Sequence, residues 1–150
     1  HANGPGCSGA GAARIIVGCG RVGSGMAREL SAEGHDVVVI DEAAGSFRLL
    51  GEEFSGERVV GAAIDWNVLL EAGIEGADAF VATTHDDNTN IVSALIATRA
   101  FEMPCAVARV YDPRRAAAFA ALGVRTVCPT KDAQLLMLDE IHSCPAATEG

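Results

Sequence analysis

The sequence predicts one α/β domain built on a doubly wound, mostly parallel sheet of six strands, with helices on both faces in three layers. Short β-branched runs alternate with longer segments of helical periodicity over residues 14–141. The short runs are mostly apolar throughout, as in strands that are covered on both faces. The chain has 150 residues, the size of a single domain. By analogy with doubly wound folds we expect the strand order 3-2-1-4-5-6 and a ligand crevice at the first and fourth strands.

The elements follow from local patterns taken in order along the chain. Continuous apolar runs predict strands at residues 14–17, 36–40, 58–62, 79–83, 106–110 and 126–128. Helical periodicity predicts helices at residues 22–32, 44–50, 68–72, 89–100, 114–122 and 133–141. Glycines that can adopt the left-handed conformation follow four of these helices, at Gly34, Gly51, Gly73 and Gly123.

One continuous domain is expected at residues 14–142. No repeat or low-complexity segment interrupts residues 14–141. Residues 1–13 are small and rich in glycine, and they predict a disordered leader or a cloning remnant. Residues 143–150 predict a disordered tail.

Composition excludes several classes of function. Twenty acidic and eleven basic residues give a net charge of −9, so we expect neither nucleic acid nor an anionic membrane surface as a partner. No apolar run approaches the ~20 residues that cross a bilayer, so direct membrane insertion is not expected. Five cysteines without a C-x-x-C pair indicate a reducing, cytosolic compartment. Four scattered histidines lack metal-ligand spacing, so no metal is expected.

A glycine-rich motif, Gly18-Cys19-Gly20-Arg21-Val22-Gly23, joins the first predicted strand to the first predicted helix. In this G-x-G-x-x-G pattern Gly18 allows a tight turn, Gly20 lets the backbone approach a pyrophosphate, and Gly23 allows close helix packing. The N–H groups at the start of the helix would face the phosphates. Taken alone, the pattern fits an ordinary tight turn equally well. Its position between a strand and a helix favours nucleotide binding.

Asp41 ends the second predicted strand, about 20 residues after the glycines. A carboxylate at this spacing can accept hydrogen bonds from a ribose 2′-hydroxyl. A 2′-phosphate would be repelled by it, and the next arginine is Arg48. We therefore expect NAD(H) or ATP/ADP as the ligand, and not NADP(H). A solvated carboxylate at a strand end is the alternative interpretation.

Longer segments carry a more specific pattern. They are GCGRVG, VVVID, RVVGAAIDWNVLLEAGIEGADAFVATTHDDNTNIVSALIATRA and ARVYDPRRAAAFAALGVRTVCPT. On these residues the chain resembles the KTN/RCK nucleotide-binding domain, the N-terminal domain of TrkA-type potassium-uptake regulators, over nearly all of residues 14–141. The resemblance implies a Rossmann-like fold.

The same resemblance implies a set of nucleotide-binding residues. In such domains the glycine loop holds phosphates and the acid after the second strand holds the adenosine ribose. Polar residues after the fourth strand line the crevice, and arginines of the first loop and the fifth strand meet phosphate. The corresponding set here is Gly18, Cys19, Gly20, Arg21, Val22, Gly23, Asp41, Glu42, Ala63, Ile64, Asp65, Thr83, Thr84, His85, Asn88 and Arg109. Surface salt bridges are the alternative for the two arginines.

One segment departs from the family. Such domains commonly read G-D-A-T after the third strand, with the acid and the threonine near the adenine. This chain has Gly61-Ala62-Ala63-Ile64, followed by Asp65. The departure predicts a more apolar adenine pocket and leaves the choice of nucleotide open. Asp65 has the alternative role of a helix N-cap.

The resemblance implies a cytoplasmic regulatory domain without catalytic residues. Nucleotide binding would shift its conformation and thereby control a membrane-embedded potassium transporter or channel, at the inner face of the membrane. A homodimer or a higher ring is expected, with the apolar helix at residues 133–141 contacting a partner subunit or packing in the core. We expect the C-terminal ligand-binding domain usual in such regulators to be missing from this chain. An NAD-dependent oxidoreductase fragment is the alternative, although 150 residues leave no room for a substrate domain.

Two further residues have open interpretations. His85 is either an acid or base at the crevice or an ordinary loop histidine. Cys19 is either a redox sensor, whose thiolate the nearby helix N-terminus favours, or a small residue tolerated between glycines. Cys105 and Cys128 border predicted strands and are expected to be buried, inert thiols.

Overall fold

A computed structural model describes residues 12–147 and contains an all-parallel sheet of six strands. The strand order is β3-β2-β1-β4-β5-β6, which confirms the predicted fold class and order. Each strand lies within two residues of its predicted position. The strands are β1 (Ala13–Val17), β2 (Asp36–Asp41), β3 (Glu57–Val60), β4 (Ala79–Ala82), β5 (Ala106–Arg109) and β6 (Arg125–Val127).

Helices connect the strands across both faces of the sheet. They are α1 (Arg21–Ala32), α2 (Trp66–Glu71), α3 (Asp87–Ala100), α4 (Pro113–Ala120) and α5 (Pro129–Ser143). α4 and α5 begin earlier than predicted because each has a proline in its first turn, where the missing N–H costs nothing. A short 3₁₀ helix at Ile74–Gly76 was not predicted.

The second predicted helix is a 3₁₀ helix, at Ala44–Leu50, and not an α-helix. Phe47 and Leu50 are its buried residues, and they are three positions apart. A helix with three residues per turn places both on one side, against the sheet. Gly51, with φ of +76°, ends the segment.

The core consists of two clusters, one on each face of the sheet. Ile15 and Val17 of β1 belong to the cluster that α2, α3 and α4 cover. Ile16 belongs to the other cluster, with Ala27 of α1 and with the two buried residues of the 3₁₀ helix. Successive side chains of a strand point to opposite faces, so the alternation produces the predicted three layers.

The ends of the domain differ slightly from prediction. Ala13 lies in β1 and Ala12 is buried, so both belong to the fold although the leader was expected to run to residue 13. Residues 1–11 and 148–150 lie outside the described residues. Ser143, expected in the tail, is the last residue of α5. Among residues 12–147, no helix combines the length and apolar character that crossing a bilayer requires.

The cysteines follow prediction only in part. Cys105 is buried as expected, but it is disulfide-bonded, so the expectation of a free thiol there is wrong. Spacing along the chain does not show which thiols meet after folding. Cys128 is a free, partly buried cysteine, and its thiol lies 3.5 Å from the carbonyl oxygen of Tyr111.

Candidate functional site

A cavity of about 350 Å³ lies at the carboxyl end of the sheet. It spans the ends of β3, β2, β1 and β4, which are neighbours in that order. β2 and β3 lie on one side of β1, whereas β4, β5 and β6 lie on its other side. At such a topological switch point a crevice forms at the carboxyl ends of the central strands. The lining residues are Val17, Gly18, Cys19, Gly20, Ile40, Asp41, Glu42, Ser46, Leu49, Gly61, Ala62, Ala63, Ile64, Thr83, Thr84, His85 and Thr89.

The three glycines of the loop have different structural roles. Gly18 has φ of +97°, and a β-carbon there would lie 3.0 Å from the backbone of Thr83. A β-carbon on Gly23 would lie 1.8 Å from the carbonyl oxygen of Gly18. A β-carbon on Gly20 would meet no atom of the described residues within 4 Å. The fold therefore requires glycine at the first and third positions, whereas Gly20 leaves space that a ligand can occupy.

The N-terminus of α1 is open toward this space. Gly20 is its N-cap, and within the described chain no side chain caps it and no acidic residue lies in its first turn. By contrast, Asp65, Asp86 and Asp112 cap α2, α3 and α4. The first N–H groups of α1, including those of Arg21, Val22 and Gly23, thus form a donor set that favours an anion.

Asp41 joins the glycine loop to the end of β2. Its carboxylate accepts hydrogen bonds from the N–H of Cys19 and the N–H of Ala43, each at 2.8 Å. The side chain is partly buried and lines the cavity, beside the exposed Glu42. A carboxylate has about four acceptor positions, so two backbone donors leave capacity for a ribose hydroxyl.

Polar residues after β4 hold the loop from the other side. The Thr83 hydroxyl lies 3.0 Å from the carbonyl oxygen of Val17 and 3.2 Å from that of Gly18, and it can donate to either. The N–H and hydroxyl of Thr84 donate to Oδ1 of Asn90, at 2.9 and 2.6 Å. Nδ2 of Asn90 in turn donates to the carbonyl oxygens of Thr84 and Arg109, each at 2.9 Å.

Several residues of the predicted set do not line the cavity. The guanidinium of Arg109 donates to the carbonyl oxygens of Thr83 and Thr84 and lies over the Tyr111 ring, 4.9 Å from its centre. The side-chain oxygen of Asn88 accepts from Arg115, outside the cavity. Asp65 accepts from the N–H of Asn67 at 2.9 Å, which confirms its predicted alternative role as a helix cap. Also absent from the lining are Arg21 and Val22, which are exposed, and Gly23, which is buried beneath the loop.

Other residues were missed by the sequence analysis. Asn90 is fully buried and supports Thr84, and in the sequence it ends a polar run directly before the apolar residues of α3. Gly61 and Ala62 also line the cavity, in the segment that the sequence analysis associated with the adenine, although neither was in the predicted set. The other lining residues outside that set are mostly apolar or small: Val17, Ile40, Ser46, Leu49 and Thr89.

Cys19 does not have the environment expected of a redox sensor. Its side chain is 1% exposed. Burial first, and the nearby Asp41 charge second, raise the pKa of the thiol, while Arg58 lowers it. The expectation of a favoured thiolate is therefore wrong, because loss of solvent outweighs the helix N-terminus.

His85 and Asp86 follow the end of β4. His85 is exposed and lines the cavity. Asp86 accepts a hydrogen bond from the Thr89 hydroxyl at 2.7 Å, and this bond is the main cause that lowers the pKa of its carboxyl. Among the described residues, no group of three or more His, Cys, Asp or Glu side chains could hold a metal ion.

The family model of the TrkA-N domain matches residues 14–130. The chain belongs to the TrkA-N family. This finding confirms the resemblance predicted from the sequence. The Trk system potassium uptake protein TrkA of Streptomyces coelicolor is 48% identical over 117 residues, which are 78% of this chain. The chain spans only 52% of that relative's length.

Two solved structures are similar to this chain in fold. The NAD(P)-binding domain of an exopolyphosphatase-related protein from Archaeoglobus fulgidus has a TM-score of 0.70 at 26% identity, covering 87% of this chain and 98% of that one. The GsuK RCK domain has a TM-score of 0.73 at 25% identity, covering 92% of this chain and 30% of that one. Both support the fold described above.

Proposed function

We propose that this domain binds NAD(H) or ATP/ADP in the cavity over Gly18–Gly23 and thereby regulates a membrane-embedded potassium transporter or channel. One observation carries the proposal. Gly20, which is the N-cap of α1 and has free space beside it, and Asp41 line one cavity. This combination provides separate places for the phosphates and for the ribose of a nucleotide.

The charges around the cavity favour some nucleotides over others. Among the described residues, no lining side chain is Lys or Arg, and Asp41 and Glu42 add negative charge. The phosphates would therefore be held by backbone N–H groups and the helix dipole. A 2′-phosphate would be repelled by Asp41, so NADP(H) is disfavoured.

The names of relatives support a regulatory role. The Streptomyces coelicolor relative is named for potassium uptake, and the structural neighbour with 25% identity is the RCK domain of GsuK. In the proposed mechanism the nucleotide binds two conformations of the domain with different affinity and so shifts their populations. No residue has to perform a catalytic step. The domain would act in the cytoplasm and reach the membrane through its partner.

A thermal-shift series tests the proposal. A ligand at about 100 times its dissociation constant adds about 2.7 kcal/mol to the free energy of unfolding. We expect NAD, NADH, ATP or ADP to raise the melting temperature, and NADPH to leave it unchanged. The matched control is Gly20→Val, in which the side chain occupies the phosphate space. No shift with any nucleotide, or equal shifts in the wild type and the variant, would contradict the proposal.

A further inference from the structure

The end of the cavity next to β4 contains a histidine. Thr84, His85 and Thr89 line the cavity there, and His85 is exposed. Among the described residues, the lining includes no Lys or Arg, and its other charged side chains are the carboxylates of Asp41 and Glu42. His85 is therefore the one described lining side chain that can carry a positive charge.

The segment that carries His85 lies directly against the glycine loop. The Thr83 hydroxyl is 3.2 Å from the carbonyl oxygen of Gly18. A β-carbon on Gly18 would lie 3.0 Å from the backbone nitrogen of Thr84. His85 is the next residue along the chain. It therefore borders the loop on the β4 side.

The strand order indicates which part of a nucleotide would come next to His85, a step that rests on the proposed function. The ribose would lie at Asp41 after β2, and the first two phosphates over the loop after β1. β4 is the next strand in that direction, at a spacing of about 4.8 Å. In ATP the group beyond the second phosphate is a third phosphate, whereas in NAD it is an uncharged ribose. The terminal phosphate of ATP would thus lie beside His85.

Other charged groups lie on the elements around His85. Arg109 of β5 donates to the carbonyl oxygens of Thr83 and Thr84, and Arg115 of α4 donates to Asn88, so both guanidinium groups have protein partners. The carboxylates after β2 and at the start of α3 are those of Asp41, Glu42, Asp86 and Asp87.

Among these groups, the imidazole of His85 is the one whose charge changes near neutral pH. Carboxylates and guanidinium groups keep their charge between pH 6 and pH 8. Burial raises the pKa of the Cys19 thiol, which keeps this thiol neutral there. Histidine gains its charge as the pH falls from about 8 to 5. In the charged form both ring nitrogens donate, and a hydrogen bond between two charged groups is stronger than a neutral one.

We propose that protonated His85 contacts the terminal phosphate of ATP, so that a fall in pH raises the affinity of the site for ATP relative to NAD. The positive charge of His85 adds to the backbone N–H groups of the loop, which hold the inner phosphates of both ligands alike. By linkage, bound ATP also favours the protonated imidazole. The domain would then couple its choice of nucleotide to pH.

Calorimetric titration with ATP at pH 6 and pH 8, without divalent cations, tests this inference. ATP itself gains a proton in this range. The measured quantity is therefore the ratio of the dissociation constants of His85→Gln and the wild type at each pH, in which the titration of the ligand cancels. We expect the variant to bind about tenfold more weakly at pH 6 and within about twofold of the wild type at pH 8.

The outcomes separate this inference from the proposed function. ATP binding with the same ratio at pH 6 and pH 8 would overturn the role of His85 and leave the proposed function standing. If the wild type bound neither ATP nor NAD at either pH, the proposed function itself would be contradicted, and this inference with it.

A variant with a permanent charge and a second ligand distinguish phosphate contact from a structural role. His85→Lys carries its charge at both pH values and should bind ATP about tenfold more tightly than the wild type at pH 8. With NAD, the wild type and His85→Gln should agree within about twofold at both pH values. His142→Gln, the same change at an exposed position on α5, should behave like the wild type. An equal loss for NAD and ATP in His85→Gln, or no gain in His85→Lys, would overturn the inference.

Discussion

A β-carbon on Gly23 would lie 1.8 Å from a backbone oxygen, whereas one on Gly20 would have no described atom within 4 Å. The two glycines of one motif therefore have different roles, one in packing and one in leaving space for a ligand. Gly23 lets α1 pack on the loop after β1, and Gly20 keeps the space before the α1 N-terminus open. Substitutions at these positions should separate folding from binding.

Gly20→Val should fold and fail to bind nucleotide. Valine is a poorer N-cap than glycine, so we expect a loss of about 1 kcal/mol in the free energy of unfolding. Gly23→Ala should lose about 3 kcal/mol, because its methyl group overlaps the Gly18 carbonyl. Chemical denaturation measures stability, and calorimetric titration with ADP measures binding. Undiminished binding by Gly20→Val would show that the phosphates do not lie over this loop.

Asp41→Ala should weaken nucleotide binding by roughly 1.5–3 kcal/mol, or about ten- to a hundredfold in the dissociation constant. The variant removes an acceptor for the ribose, and it releases the N–H groups of Cys19 and Ala43. Titration with ADP or NADH measures the effect. Asp36→Ala, at the opposite end of β2, is the matched control and should bind like the wild type. Equal nucleotide affinity in Asp41→Ala and Asp36→Ala would show that Asp41 does not bind the ribose.

The sequence was most informative where a residue acts through its backbone or its spacing. Gly18, Gly20 and Asp41 could be predicted because the motif fixes their distance along the chain and the strand order brings them together. Arg109 could not be placed, because a long side chain on β5 has several acceptors within reach, and it donates to the carbonyl oxygens of Thr83 and Thr84 after β4. Asn90 escaped notice because nothing in its local sequence shows which backbone groups it will meet.

At the scale of elements, aspartate capping distinguishes α2, α3 and α4 from α1. Asp65, Asp86 and Asp112 each accept a hydrogen bond from a backbone N–H in the first turn of their helix. In α1 the corresponding position is Gly20, without a side chain. α5 also lacks a side-chain cap, but its first turn holds Pro129 and the acidic Asp132, whereas the first turn of α1 holds no acidic residue and begins at the cavity.

The caps predict a dependence of stability on pH. Hydrogen bonds, first from the Thr89 hydroxyl and then from backbone N–H groups, lower the pKa of Asp86 from its ordinary value of 3.8. A carboxyl with a lowered pKa in the folded state stabilises the protein above its unfolded pKa. That stabilisation is lost as the pH falls through the folded pKa. The same direction holds for Asp112, whose pKa is lowered chiefly by the N–H of Arg114.

Asp86→Asn should isolate this effect, because asparagine also caps helices but does not titrate in this range. We expect the wild type to be the more stable protein near pH 5, and the difference to shrink as the pH falls below about 3.8. Urea denaturation across this range measures it. A difference between wild type and variant that stays constant with pH would show that the cap does not depend on ionisation.

Element type was harder to predict than element position. The segment 44–50 was correctly placed as helical, but its two buried residues, Phe47 and Leu50, are three apart, and this spacing fits 3₁₀ as well as α geometry. The contact with the sheet decides between them, and contacts across the fold are not visible in a local pattern. The end of β2 illustrates the opposite case, since Asp41 marks it in the sequence. The third strand was predicted to run to residue 62, but β3 ends at Val60, before Gly61.

At the scale of the whole molecule, α5 differs from the other α-helices because it contributes no buried residue to the core. None of the residues of this helix is buried. Its large apolar side chains are 51% to 68% exposed, at Leu135, Leu136, Met137, Leu138 and Ile141. An apolar surface of this kind marks an interaction site in a folded protein. This exposure supports the proposed homodimer or ring, with α5 as the contact.

Replacing α5 apolar residues by acidic ones should therefore change the assembly and leave the fold intact. We expect Leu136→Glu combined with Ile141→Glu to sediment as a monomer at a concentration where the wild type sediments as a dimer or larger species. Leu70→Glu, an exposed apolar residue on α2, is the matched control and should keep the wild-type mass. Identical masses for the wild type and the double variant would show that α5 does not form the contact between subunits.

The central claim is that a nucleotide binds over the glycine loop, and amide chemical-shift mapping of the ¹⁵N-labelled chain tests it most directly. Added ADP should shift the resonances of Cys19, Gly20 and Val22, together with residues beside Asp41, because their N–H groups line or face the cavity. Residues of β6, two strands away from β4, should not move in the monomeric double variant of α5. Saturable shifts confined to the loop and the end of β2 are the predicted result. Shifts located elsewhere, or none at millimolar ADP, would contradict the account.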